Sequence, residues 1–121
     1  MTLPEKKKIL LAEDDSSMRR FIEIILQKAG FDVLTAEDGL AALQIALETD
    51  IDAVVADAIM PNMSGYDLCR MLRPDSVEKK IPCIILSGLA ENNSDNNLAD
   101  IFLLKDTNLK EQILSALQKL I

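Results

Sequence analysis

Five short apolar runs alternate with longer amphipathic stretches: Ile9 to Ala12, Val33 to Ala36, Val54 to Ala56, Ile84 to Leu86 and Ile101 to Leu104. Continuous apolar runs of this length suit strands buried on both faces, as in a parallel sheet. The stretches between them supply the crossovers. From Met18, the positions Phe21, Ile22, Ile25, Leu26 and Ala29 follow helical spacing, and Gly30 is placed for a left-handed stop. Asp38 to Thr49 predicts a second helix with Leu40, Leu43 and Leu47 on one face. Tyr66 to Leu72, carrying Leu68, Met71 and Leu72 and ended by Pro74, predicts a short third. Thr107 to Ile121 predicts a last one with Leu109, Ile113, Leu117 and Leu120 inward. The pattern specifies an α/β doubly wound parallel sheet of five strands with right-handed crossovers.

Four of the runs end in polar residues: Glu13-Asp14-Asp15, Asp57, Ser87 and Lys105. If these strands are parallel neighbours, all four ends meet on one sheet edge, where ligands bind in open α/β sheets. Val33 to Ala36 ends without such a group, which suits an edge strand away from the site. A lone strand-end aspartate ordinarily caps the turn that follows, and Asp57 is followed by Pro61, Asn62, Ser64 and Gly65. A lone strand-end lysine is ordinarily a snorkelling surface residue. Their coincidence with Ser87 and three consecutive acids argues for chemistry instead.

The chain has 121 residues, 49% of them hydrophobic, enough for one domain with a sizeable core. Its 13 Lys+Arg against 20 Asp+Glu give a net charge of −7, which argues against direct contact with nucleic acid or an anionic membrane and suits protein partners and cations. Two isolated cysteines, Cys69 and Cys83, with no histidine supply too few ligands for zinc and read as reduced packing residues of a cytoplasmic protein. No apolar run approaches the ~20 residues of a membrane span. Lys6-Lys7-Lys8 leads into only four apolar residues before the acids, which does not make a signal peptide.

Glu13-Asp14-Asp15 followed by Ser-Ser-Met-Arg-Arg, Asp57 with Met60-Pro61 and Gly65 after it, Ser87 and Lys105 together resemble the receiver domain of bacterial two-component response regulators, over essentially the whole of residues 1 to 121. The resemblance implies the flavodoxin-like strand order 2-1-3-4-5. It also implies transfer of a phosphoryl group from a histidine kinase or histidine phosphotransfer protein onto Asp57, followed by binding of a downstream protein partner. The chemistry stands on its own terms: a carboxylate can accept a phosphoryl group once the repulsion between two anions is cancelled. Mg²⁺ does this through oxygen ligands, typically one or two carboxylates plus phosphate. By the resemblance, Asp14 and Asp57 are direct ligands, Glu13 acts through water, and the backbone carbonyl of Ile59 completes the shell. Lys105 offers an ammonium and Ser87 a hydroxyl to the phosphoryl oxygens. Asp15 or Ser16 caps the first helix, a role compatible with metal binding nearby. Phe102 matches the family's aromatic switch position, and it also reads as plain core packing of the fifth strand.

Two features depart from the family pattern. Asp106 stands where proline usually follows the lysine, so the last loop need not share that geometry, and Asp106 is a potential competitor for Lys105. Residues 88 to 99 form a crossover near the minimum of ~10 to 12 residues, and ENNSDNN at Glu91 to Asn97 has no apolar residue. The helix between the fourth and fifth strands is therefore expected to be shortened or lost. Ile59 and Leu89, aliphatic where the family's hydrolytic water approaches, predict a slowly hydrolysing phosphoaspartate. An aspartate-nucleophile phosphatase would want a second acid at the place Ile59 occupies. A glycine-rich nucleotide loop is missing from Glu13 to Asp15. A pseudo-receiver that binds proteins independently of phosphorylation would leave the complete set of acids, hydroxyl and lysine without a purpose. The expectation is a phosphorelay signalling domain that acts on itself, not an enzyme on other substrates, either standing alone or excised from a longer regulator.

Overall fold

A computed structural model describes residues 5–73, 81–88, 100–106 and 108–121. The first strand, β1 (Lys8–Ala12), is followed by α1 (Ser16–Lys28), β2 (Asp32–Ala36), α2 (Gly39–Glu48), β3 (Ala53–Asp57), α3 (Gly65–Leu72), β4 (Cys83–Ser87), β5 (Ile101–Leu104) and α4 (Leu109–Leu120). The strands form one parallel sheet in the order β2-β1-β3-β4-β5, as expected. The expected loss of the helix between β4 and β5, and the placement of Leu89, fall at residues 89–99, outside the described residues. Pro74 lies outside them too.

Period-two alternation divides each buried strand between two apolar layers. Leu10, Ala12, Val54, Ala56, Cys83 and Ile85 face α2 and α3. Ile9, Leu11, Ala53, Val55, Ile84 and Leu86 face α1 and α4, where they meet Ile22, Leu26, Ile113 and Leu117. Burying each such Leu or Ile contributes roughly 1.5–3 kcal/mol, so these layers hold the sheet together. Asp15 caps α1 by accepting from the Ser17 N–H at 3.0 Å. Gly30, at φ 98°, ends α1 as expected. The Gly30 and Phe31 amides donate to the Gln27 and Leu26 carbonyls, the paired bonds of a Schellman stop.

The second helix corrects the sequence reading. Leu40 is 56% and Leu47 75% exposed, whereas Leu43 faces inward as expected, in a stripe with Gly39, Ala42 and Ala46. Those four also follow i, i+3, i+4, i+7 spacing, but with mostly small residues, because α2 lies close against both the sheet and α3. Phe21 of α1 and Met71 of α3 are likewise exposed. Leu109, Ile113 and Leu117 of α4 are buried as expected, and Leu120 packs half-buried beside them.

Candidate phosphoacceptor site

The sheet's hydrogen-bond ladders run one residue past the strands, and that extension places the polar residues. The Glu13 N–H donates to the Ala36 carbonyl at 3.1 Å, the Ala58 N–H to Leu86 at 2.8 Å and the Lys105 N–H to Ser87 at 2.8 Å. The first residues beyond β1 and β5 are thereby fixed in line with Asp57 and Ser87, the last residues of β3 and β4. Asp57 and Ser87 are buried, at 9% and 8% exposure. Gly65 lets α3 begin directly behind Asp57, since a Cβ there would overlap the Asp57 carbonyl oxygen.

Lys105 joins the acids. Its Nζ lies 3.0 Å from Asp57 Oδ2 and donates to Glu13 Oε1 at 3.2 Å and Oε2 at 3.1 Å. An ammonium has three donors, and these carboxylate oxygens account for three contacts. One oxygen from each of Glu13, Asp14 and Asp57 lies within 4.8 Å of the others, with Asp14 exposed beside two buried partners. That donor set, hard carboxylate oxygens from a loop and a strand end, fits Mg²⁺.

Burial pushes the Glu13 carboxyl above its usual value of 4.5, the hydrogen bond from Lys105 pulls the other way, and the charge of Asp57 adds to the rise. Burial alone would lower the Lys105 pKa, but its bonds to Asp57 and Glu13 outweigh that and hold it above 10.5. The electrostatics are those of two acids sharing one cation.

Of the residues singled out in the sequence, Glu13, Asp14, Asp57 and Lys105 are brought together, with Ser87 one strand over from Asp57. Ile59 lies in the loop after β3 with its side chain 70% exposed. Phe102 pairs in register with Ile85, and Leu104 with Ser87, so alternation puts Phe102 and Ser87 on one face of the sheet. The Phe102 ring packs in the layer facing α3, its centroid 6.2 Å from that of Tyr66. Asp106 does not take Lys105: its Oδ1 accepts the Asn108 N–H at 2.9 Å. Glu13 is fully buried and clamped to Lys105, a pairing the sequence reading did not anticipate. The longer glutamate arm at the first acidic position was the only available signal.

A family model described as the response regulator receiver domain matches residues 9–118. The chain belongs to the response regulator receiver family, the signalling domains of two-component systems. A probable transcriptional regulator, ycf27, from Galdieria sulphuraria is 42% identical over 89 residues, which cover 74% of this chain and 34% of that protein. The chain thus spans about a third of the length of such relatives. Among solved structures, the chemotaxis protein CheY4 of Vibrio cholerae is 30% identical with TM-score 0.86, covering 97% of this chain and all of that one. The response regulator TrrA of Thermotoga maritima, solved in complex with Mg(2+)-BeF, is 26% identical with TM-score 0.85, covering 95% and 99%.

Proposed function

We propose that Asp57 accepts a phosphoryl group from the phosphohistidine of a histidine kinase or histidine phosphotransfer protein, in a Mg²⁺-dependent reaction that changes a surface read by a downstream protein. The observation that carries this reading is the Asp57 carboxylate, buried at a strand end 3.0 Å from the Lys105 ammonium and within 4.8 Å of the ligand oxygens of Glu13 and Asp14. A carboxylate oxygen of Asp57 attacks phosphorus, the phosphorus–nitrogen bond to the donor imidazole breaks, and an acyl phosphate remains on Asp57. Lys105 pairs with the phosphoryl oxygens as it now pairs with Asp57, and the Ser87 hydroxyl donates to one of them. Asp14 and Asp57 would hold Mg²⁺ directly, with Glu13 through water and the Ile59 carbonyl, and the ion would supply positive charge against the anionic phosphoryl group. The magnesium complex of TrrA supports that cofactor.

Phe102 takes the switch role in this reading. Its ring packs beside Tyr66, whose buried hydroxyl has no hydrogen-bond partner among the described residues. A cytoplasmic setting, a self-contained receiver unit and no direct nucleic-acid contact belong to the same proposal. Its acidic surface, with net charge −7, supports the last point.

Incubation with acetyl phosphate and Mg²⁺ should add the mass of one phosphoryl group to the intact protein, and chelation of the metal should prevent it. Asp57→Asn should abolish the addition. Equal labelling of that variant would disprove the assignment.

A further inference from the structure

The turn between β2 and α2, residues 37–38, carries no site residue, yet it touches the loops on both sides of it. The Glu13 N–H donates to Ala36, the last residue before this turn. Arg19 of α1 lies over the same place: its Nη1 donates to the Glu13 carbonyl at 2.9 Å, and its Nη2 is 3.9 Å from Glu37 Oε1. Arg19 is largely buried whereas Glu37 is 83% exposed, so the bond to the Glu13 backbone is the one that holds the arginine.

On the other side, Asp38 divides its carboxylate. Oδ1 caps α2 by accepting the Ala41 N–H at 2.7 Å, and Oδ2 accepts from Asn62 Nδ2 at 2.8 Å. Asn62 sits in the loop that carries Ile59, and its φ of 69° is a left-handed conformation in which asparagine is tolerated. Gly39 completes the contact, because a Cβ there would overlap the Met63 carbonyl oxygen.

We propose that Arg19, Asp38 and Asn62 are positioning residues that brace the Glu13–Asp14 loop and the Ile59 loop against the β2–α2 turn, fixing the spacing of the metal ligands. This rests on the metal-binding reading above. Mg²⁺ demands near-ideal octahedral geometry, so loosening either loop lowers affinity. Outer residues that orient metal ligands typically cost 10–100-fold in affinity when removed.

Charge and positioning make opposite or separable predictions. Arg19→Met removes a cation near the acids, which by field alone tightens Mg²⁺ binding, whereas loss of positioning weakens it. Asn62→Gly changes no charge and keeps the left-handed backbone accessible. Asp38→Ser retains a helix-capping hydroxyl too short to reach Asn62.

The test is calorimetric titration of Mg²⁺ into the unphosphorylated full chain, with circular dichroism confirming that each variant is folded. Asn62→Gly and Arg19→Met should each weaken binding about 10-fold, the low end for such residues. Asp38→Ser combined with Asn62→Gly should bind no more weakly than the weaker single variant, because the two share one hydrogen bond. Binding within twofold of wild type in both Asn62→Gly and Arg19→Met, or tighter binding in Arg19→Met, overturns the brace. If Asp14→Ala abolishes binding in that case, the metal reading still stands. A wild-type protein that takes up no Mg²⁺ overturns both.

Discussion

Within one sheet, the strand bodies and the strand ends are built on opposite terms. From Ile9 to Ala12 and from Ala53 to Ala56 the exposure is 5% or less at every position, all side chains are apolar, and each meets an apolar partner above or below the sheet. One residue further on, Glu13 is just as enclosed and Asp57 nearly so, but both are charged, and a single lysine from β5's end serves both. Burying ions costs several kcal/mol each, which a pair repays only in part, so the ends contribute little net stability and the bodies carry it. Chemistry is concentrated where the fold can tolerate destabilisation, because the apolar layers offset it.

The largest expected stability effect lies in the layer that covers the bodies. Ile113 of α4, fully buried in the same layer as Ile84 and Leu86, should cost about 2–5 kcal/mol on replacement by alanine, measured by urea unfolding, while the folded fraction still takes up phosphate on Asp57. A loss of labelling without loss of stability would break the division between bodies and ends. Lys105→Met should come next, at about 3 kcal/mol at neutral pH, since it leaves two buried carboxylates without their cation. A neutral result would mean that the cation contributes no net stability.

The ends should also respond to pH in a way the bodies do not. Because Glu13 binds its proton more tightly folded than unfolded, its contribution is full below 4.5 and is lost as pH rises through the higher folded value. Wild-type stability relative to Glu13→Gln should therefore decline from acid toward neutral pH. A difference that stays flat across that range would contradict the burial-driven shift. The smallest effect concerns the exposed Ile59, whose aliphatic side chain offers nothing to orient an attacking water. Ile59→Asn should shorten the phosphoaspartate lifetime several-fold, below the roughly 10²–10⁴-fold that a fully positioned acid–base group contributes. An unchanged decay rate would remove Ile59 from the account.

The sequence by itself determined the sheet and the residues at its working edge. Apolar runs buried on both faces leave little choice but parallel strands, and strand direction then forces Asp57, Ser87 and Lys105 to one side. The capping aspartate at 15 and the stop at Gly30 are local signals, readable because their hydrogen bonds close within a few residues. The burial of α2 was decided elsewhere. Its small-residue stripe and its leucine stripe both have helical period, and only the closeness of the sheet and α3 selects Gly39 and Ala42 while turning Leu40 and Leu47 outward. The same is true of Glu13 pairing with Lys105 across 92 residues, and of Asp38 reaching Asn62 across 24. No periodicity encodes such contacts, because they depend on how far each strand end and loop extends in space, and that distance exists only once the layers have packed.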